Sequence, residues 1–210
     1  MGNMTAGKEF AAMHHLELAF LDDVAPTYLR LARPPHGLKI RQWKNRSAVP
    51  LINKLHAGLS GLKRKQASVL DHKLVWLEGG NPLGSPVVLL HGFASNKENW
   101  LSLVPFLLKQ HRLFVLDLPG WGESQFNANV PYGLDDQVAR VAAWIENHVP
   151  GPIHLVGNSV GGLVSALLAG RHGELVKTLC LMNPAGGKGE SHTRFEAGLR
   201  EGRNPMIVES

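Results

Sequence analysis

Cysteine and long apolar runs are scarce in this sequence. The 210 residues include a single cysteine, Cys180, so no disulfide can form within the chain. Because Cys180 lies in the mostly apolar run 176–182, we expect its side chain to be buried. No run approaches the ~18 apolar residues of a membrane span, and the N-terminus MGNMTAGKEF lacks the apolar stretch of a secretory signal. These absences predict a cytoplasmic protein with no cleaved signal and no membrane span.

Metal-ligand spacings of cysteine and histidine are also absent, as are basic motifs interleaved with aromatic residues. We therefore expect no metal and no nucleic-acid partner. Charge is unevenly placed, because residues 1–70 hold 11 Lys or Arg against 4 Asp or Glu, while the rest of the chain is slightly acidic. This basic N-terminal segment is a candidate for peripheral contact with an anionic membrane, although a solvated charged surface is the simpler interpretation.

The sequence changes in character near Ala67. Residues 1–66 predict a basic, helical or partly irregular extension that several prolines interrupt, with an apolar stripe at helical spacing in 48–62. Residues 67–187 alternate short apolar runs with helical patterns, which predicts one core unit. Residues 188–210 form a polar stretch after this unit.

The core unit contains recognisable strands and helices. SVLDHKLVWLEGGNP predicts a hairpin with its turn near Asp71-His72, and PVVLLHG, RLFVLDLPG and PIHLVGNS predict strands buried on both faces. NKENWLSLVPFLLK, GLDDQVARVAAWIENHV and VGGLVSALLAGRHG predict helices, and VKTLCLMNPAG predicts a last strand. This alternation predicts an α/β fold in which a mostly parallel sheet is covered by helices on both faces.

The stretch HLVGNSVGGL places a serine between glycines, after a predicted strand and before a predicted helix. A serine on such a tight turn projects its hydroxyl out of the backbone, and glycines two residues away leave room for the bend. The spacing alone also arises by chance, so the flanking strand and helix carry the argument. We interpret Ser159 as a candidate nucleophile, with Gly157, Asn158 and Gly161 shaping the turn.

Two further motifs follow predicted strands. LLHGFASNKENW ends a strand at His91-Gly92-Phe93, and the backbone N–H groups of Phe93 and Val160 are the natural pair to stabilise an oxyanion. His91 is an alternative general base, but the order serine, acid, histidine expected for such a turn favours a supporting role for His91 and Gly92.

The second motif, DLPGWGES, predicts a loop at the end of another strand. Trp121 is a candidate for the lining of a pocket at this end of the sheet. Asp117 precedes Ser159 in the chain, and we therefore interpret it as a carboxylate that braces the loop rather than as a catalytic acid.

Together, LLHGFASNKENW, VLDLPGWGES, HLVGNSVGG and LMNPAG resemble the α/β-hydrolase superfamily, most closely its monoacylglycerol-lipase-like serine hydrolases. The resemblance covers about residues 67–187. It implies hydrolysis of a small, lipid-like ester through an acyl-enzyme on Ser159, with no cofactor, and it identifies 188–210 as the start of a helical lid. Asn158 beside the nucleophile also occurs in carbon–carbon hydrolases of ring-fission products, although their loop usually differs from Phe93-Ala94-Ser95.

The chain also departs from the family pattern, which requires an acid and then a histidine after Ser159. Neither is found in the expected place before Ser210, and His192 with Glu190 or Glu174 is a weaker substitute because it lies in the lid-like stretch. Two hypotheses therefore remain. One is an ester hydrolase represented by an incomplete chain, which lacks the triad acid and histidine and has little or no activity. The other is a non-catalytic binding module on the same fold.

Overall fold

The computed structural model describes residues 61–186. The predicted lid segment 188–210, with His192 and Glu190, and all but the end of the stripe in 48–62 lie outside the described residues. The strands are β1 (Lys63–Val69), β2 (His72–Gly80), β3 (Ser85–Leu90), β4 (His111–Asp117), β5 (Ile153–Asn158) and β6 (Val176–Met182). The helices are α1 (Val104–Leu107), α2 (Leu134–His148) and α3 (Val160–Arg171), with 3₁₀ turns at Lys97–Trp100 and Gly173–Leu175.

The six strands form one mixed sheet in the order β1-β2-β4-β3-β5-β6. The pairs β4-β3, β3-β5 and β5-β6 are parallel, while β1 and β2 form an antiparallel hairpin that joins β4 at the other side. This arrangement confirms the α/β prediction. Because the four parallel strands run the same way, their carboxyl ends lie at one edge, which is where such sheets place functional groups.

Strands β3 and β4 are buried on both faces, as their unbroken apolar runs predicted, but the same expectation for β5 is wrong because its buried residues alternate with half-buried ones. Residues 87–90 and 113–116 are at most 4% exposed. Helices α2 and α3 cover one face of the sheet, where the Trp144 ring lies 5.5 Å from that of Trp76. The 3₁₀ turn before α1, and α1 itself, cover the other face through Trp100 and Val104. Helical segments therefore pack on both faces of the sheet.

The segment NKENWLSLVPFLLK differs from its prediction as one helix. It forms the 3₁₀ turn Lys97–Trp100 and the four-residue helix α1, with a turn between them. The reason is Pro105, which has no backbone N–H to continue a helix from the preceding turn and lies instead at the start of α1. The segment between β3 and β4 therefore contains more loop and less helix than the apolar pattern predicted.

Strand β6 is present as predicted, but the expectation that Cys180 is buried is wrong. Cys180 is exposed and alternates along β6 with half-buried residues. Among the described strands β6 pairs with β5 alone, so it lies at the edge of the sheet, where fewer neighbours cover its side chains.

At the other edge, β1 begins at Lys63, a few residues before the predicted change of character at Ala67. The longest helix in residues 61–186 is α2 with 15 residues, and no helix there has the length and apolarity to cross a bilayer.

Candidate active site

Ser159 lies at the junction of β5 and α3, where the predicted strand-to-helix turn is present. Its φ of 53° and ψ of −118° are a strained combination for a residue with a side chain. Backbone hydrogen bonds hold this conformation, because Ser159 N–H donates to the carbonyl of Met182 at 3.0 Å and its carbonyl accepts from Ala185 N–H at 2.9 Å. The end of β6 thus fixes the turn that projects the serine.

The two glycines around Ser159 are required by close packing. A Cβ on Gly157 would lie 2.3 Å from the carbonyl oxygen of Gly161 and from Ser165 Oγ, which leaves no room for a side chain. A Cβ on Gly161 would lie 2.4 Å from the carbonyl oxygen of His91. The first turn of α3 therefore packs directly on the ends of β5 and β3, which the G-x-S-x-G spacing permits.

Gly92 brings the loop after β3 against the serine. A Cβ at Gly92 would lie 3.1 Å from Ser159 Cβ and 2.9 Å from Asn158 Oδ1. Phe93 follows Gly92 directly in the chain, and Val160 follows Ser159 as the first residue of α3. The first N–H groups of a helix have no intrahelical acceptor and favour negative charge. The backbone around Ser159 is therefore suited to an anionic oxygen.

Aromatic rings and an amide complete the surroundings of Ser159. The half-buried ring of Trp121 lies 5.4 Å from that of Phe93, so the two predicted loops meet at the carboxyl edge of the sheet. Asn158 Nδ2 donates to the Met182 carbonyl at 3.3 Å, which ties β5 to the end of β6. Asn158 thus contacts both neighbouring segments of the turn.

His91 is buried, and both of its ring nitrogens are engaged. Leu118 N–H donates to Nε2 at 3.0 Å, so the ring proton is on Nδ1, which donates to the Gly92 carbonyl at 2.7 Å. Burial disfavours the charged ring and lowers the pKa of His91 below its ordinary value. This geometry fastens the start of the loop to the end of β4 and leaves no nitrogen of His91 open to a substrate.

Asp117 is fully buried at the end of β4 and braces two loops. Its Oδ1 accepts from Lys97 N–H at 2.7 Å, and its Oδ2 accepts from Glu123 N–H at 2.9 Å. Gly122 passes so close that a Cβ there would lie 2.3 Å from the Asp117 carboxyl carbon. The carboxylate therefore holds the loop after β3 and the DLPGWGES loop together.

Lys97 is a residue that the sequence reasoning missed. Its side chain is buried, and Nζ lies 2.8 Å from Asp117 Oδ2, 2.9 Å from Glu98 Oε1 and 2.8 Å from Glu123 Oε2. Burial alone would lower the pKa of Lys97, but Asp117 and the two glutamates outweigh it and raise that pKa above its ordinary value. No pattern signalled this arrangement, because a lysine in a polar stretch is normally exposed.

Glu174 is not brought to the serine. It lies after the far end of α3, and twelve helical residues span about 18 Å. Among residues 61–186, no group of three or more histidine, cysteine, aspartate or glutamate residues is arranged to hold a metal ion.

The chain is similar to known proteins in both sequence and fold. The sequence profile of a family described by its alpha/beta hydrolase fold matches residues 85–202. The chain is 33% identical to the monoacylglycerol lipase ABHD6 of Homo sapiens over 142 residues, which is 66% of this chain and 42% of that protein. It is 32% identical to Lipase 1 of Psychrobacter immobilis, over 66% of this chain and 44% of the lipase.

Among solved structures, a bacterial membrane phospholipase A described as a virulence factor matches with a TM-score of 0.71 and 33% identity. The match covers 77% of this chain and 52% of that structure. The chain thus spans roughly two fifths of the length of these curated relatives and about half of the matched structure.

Proposed function

The chain belongs to the alpha/beta hydrolase fold family, and from this premise we propose that it is a serine hydrolase that cleaves lipid-like carboxylic esters through an acyl-enzyme on Ser159. The strained turn conformation of Ser159 carries the proposal, because Met182 and Ala185 hold it by backbone hydrogen bonds and a serine on such a turn projects its hydroxyl at the carboxyl edge of the sheet. The names of the similar lipases support an ester as the substrate.

In the proposed reaction, Ser159 Oγ attacks the ester carbonyl carbon while a base takes the hydroxyl proton. The backbone N–H groups of Phe93 and Val160 stabilise the resulting oxyanion, and one such donor is typically worth about 3 kcal/mol. Collapse of this intermediate expels the alcohol and leaves an acyl-serine, which water then hydrolyses. Trp121 lines the pocket beside the acyl group.

The base comes from outside residues 61–186 in this proposal. His91 follows β3 directly and lies beside the serine turn, but both of its ring nitrogens are hydrogen-bonded to backbone groups, so it does not serve as the base. We assign it, with Gly92, to the support of the loop. His192 stays the weaker alternative, and the acid that would orient the base is likewise sought beyond residue 186.

Asn158 supports a second candidate, the hydrolysis of carbon–carbon bonds in ring-fission products. Its amide lies against both Gly92 and Met182, next to the nucleophile. The two reactions differ in substrate and share Ser159, so turnover of simple aryl esters against ring-fission diketones separates them.

The proposal is tested by covalent labelling of the protein expressed from the whole reading frame that contains this chain. Ser159→Ala should abolish labelling by a fluorophosphonate probe and reduce hydrolysis of p-nitrophenyl esters by a factor of at least ~10³, because the nucleophile is gone. Ser68→Ala, which removes an exposed hydroxyl on β1, is the matched control and should label as the parent protein does.

Labelling that persists in the Ser159→Ala protein would move the nucleophile elsewhere. Absence of labelling in the parent protein, with the fold intact by circular dichroism, would instead favour a non-catalytic binding module.

A further inference from the structure

We propose that Lys97 is a positioning residue that holds the backbone of residues 91–97, here named the oxyanion loop, against the end of β4. The inference rests on the proposed function, since it concerns the placement of the Phe93 N–H group beside Ser159. Lys97 itself touches neither the serine nor the substrate, and it acts through Asp117.

The oxyanion loop is fastened to β4 at both of its ends. At its start, the ring of His91 accepts a hydrogen bond from Leu118 N–H, and at its end Lys97 donates twice to Asp117, from its backbone and from Nζ. These two anchors are consecutive residues of the chain, Asp117 and Leu118. The six peptide units between these ends therefore form a loop that is closed by hydrogen bonds to the buried end of β4.

Between its ends, the oxyanion loop adopts a conformation that needs support. Ala94 has a φ of 54°, in the left-handed region that disfavours residues with a side chain. The Phe93 ring packs against Trp121, which belongs to the loop that Asp117 also braces. The position of the Phe93 N–H group thus depends on how firmly both loops are held at Asp117.

The ammonium of Lys97 is the cation that neutralises this junction. It lies within 2.9 Å of carboxylate oxygens from Asp117, Glu98 and Glu123, so three negative charges surround one positive charge. Arg64 contacts Glu123 from β1 at 3.1 Å, at an exposed site where screening is stronger. Without Lys97, the buried Asp117 carboxylate faces two glutamates with no cation next to it, and repulsion separates the loops.

A second buried cation in the chain provides a matched comparison. Arg140 is 3% exposed and binds Asp71 through two hydrogen bonds of 2.8 Å, but it braces the β1-β2 hairpin and α2 rather than the oxyanion loop. Removal of either cation leaves a carboxylate without its buried partner and destabilises the fold. If Lys97 positions the oxyanion loop, loss of Lys97 alone should slow the chemistry.

The test compares Lys97→Met with Arg140→Met in the protein expressed from the whole reading frame. Rates are normalised to the fraction of Ser159 that a fluorophosphonate titrates, so unfolded protein does not count. For Lys97→Met we expect kcat to fall about 10- to 100-fold, since small misplacements of catalytic groups have effects of this size, while KM changes less than about 3-fold. Arg140→Met should lower Tm by a similar amount and leave kcat per titrated site unchanged.

If Lys97→Met yields no folded protein, Asp117→Asn is used in its place, because its amide oxygen still accepts from Lys97 N–H, while its amide nitrogen can accept neither from Lys97 Nζ nor from Glu123 N–H and the charge pair is lost. A normal kcat per titrated site in the folded variant would overturn the inference and give Lys97 a purely structural role, while the proposed function stands. Full activity of Ser159→Ala would instead overturn the proposed function. The two failures are therefore distinguishable.

Discussion

At the scale of single residues, the candidate site contains groups whose conformation or burial would destabilise the fold without specific partners. Ser159 has a strained backbone, and Lys97 and His91 are polar side chains with almost no exposure. Each cost is offset locally, by the carbonyl of Met182 for the serine, by carboxylates for the lysine and by two backbone groups for the histidine. Because the compensation is local, a change at one partner should be felt at the serine turn.

The buried ring of His91 predicts that stability falls on mild acidification. Burial lowers its pKa below the ordinary value of 6.5, so the folded protein binds fewer protons near that pH than the unfolded chain does. The contribution of the neutral His91 ring to the free energy of unfolding is therefore fully present above pH 6.5. It falls as the pH drops below 6.5, by at most about 1.4 kcal/mol per pH unit for one group. Urea unfolding between about pH 7.5 and 5 measures this slope.

His91→Gln is the informative variant, because glutamine can donate and accept like the neutral ring and does not titrate. We expect its stability to depend less on pH in this range than that of the parent. His154 also has a lowered pKa, from partial burial and from Lys177 and His111, so His154→Gln should flatten the slope by a smaller amount. Equal slopes for the parent and His91→Gln would mean that the ring is not held neutral.

At the scale of elements, the carboxyl ends of β3, β4 and β5 supply the three loops that meet at the candidate site. Helix α3 continues β5 with no linker beyond Ser159, and α2 packs against α3 and the sheet from the same face. The orientation of α2 is set at its first turn, where Asp136 Oδ2 accepts from the Gly133 N–H group at 3.1 Å. This carboxylate also faces the positive end of the helix dipole.

We therefore expect Asp136→Ala to lower the free energy of unfolding by about 1 kcal/mol, an effect of the size of a lost N-terminal capping hydrogen bond, because Asp136 is the third helical residue and accepts from the N-cap Gly133. Asp135→Ala is the control, because Asp135 is in the same turn and pairs with Arg171 at the surface. Such exposed pairs contribute little, so its effect should stay below roughly 0.5 kcal/mol. Denaturant melts of both variants check the difference, and an equal loss in the two would assign the effect to helix charge rather than to the cap.

Strand and helix prediction succeeded where one physical effect dominated. The strands β3 and β4 contain continuous apolar runs because both of their faces are covered, and α2 has a strong apolar face with acids at its start. The prediction failed at Pro105, a local signal that divided the apolar helical pattern, and at Cys180, which the edge position of β6 left exposed through tertiary context.

In the candidate site, the features that could be predicted were those where close backbone packing requires a particular residue type. Glycine at 157 and 161 signals a close approach, so the turn at Ser159 could be located from the spacing together with the predicted strand before it and the predicted helix after it. The burial of Lys97 could not be predicted, since it depends on Asp117 and Glu123, which come from a different strand end and loop. Charged residues that are close in space but distant in the chain leave no pattern in the local sequence.

At the scale of the whole molecule, charge is the feature that distinguishes the two ends of the sequence. Residues 1–70 carry a net charge of +7 and residues 71–210 carry −2. The described part of that basic segment ends on the edge strand β1, where Lys63 and Lys65 are exposed beside each other on one face. Arg64 points to the other face and contacts Glu123. A basic surface therefore lies along this edge of the sheet.

We predict that this basic segment binds anionic membranes through charge, with contributions from Lys63, Lys65 and the basic residues Arg41, Lys44 and Arg46, while Arg64 pairs with Glu123 instead. Association with phosphatidylserine vesicles should fall steeply as salt rises from about 50 to 300 mM, because screening shortens the reach of each charge. A lysine near such a surface contributes about 1 kcal/mol to binding, so the double variant Lys63→Glu/Lys65→Glu should bind at least about 30-fold more weakly.

The matched control, Lys109→Glu/Lys177→Glu, changes net charge equally at exposed sites outside the basic segment and should retain most of the binding. Vesicle sedimentation measures all three proteins, and equal binding to neutral phosphatidylcholine vesicles would contradict an electrostatic contact and leave the basic segment as a solvated surface.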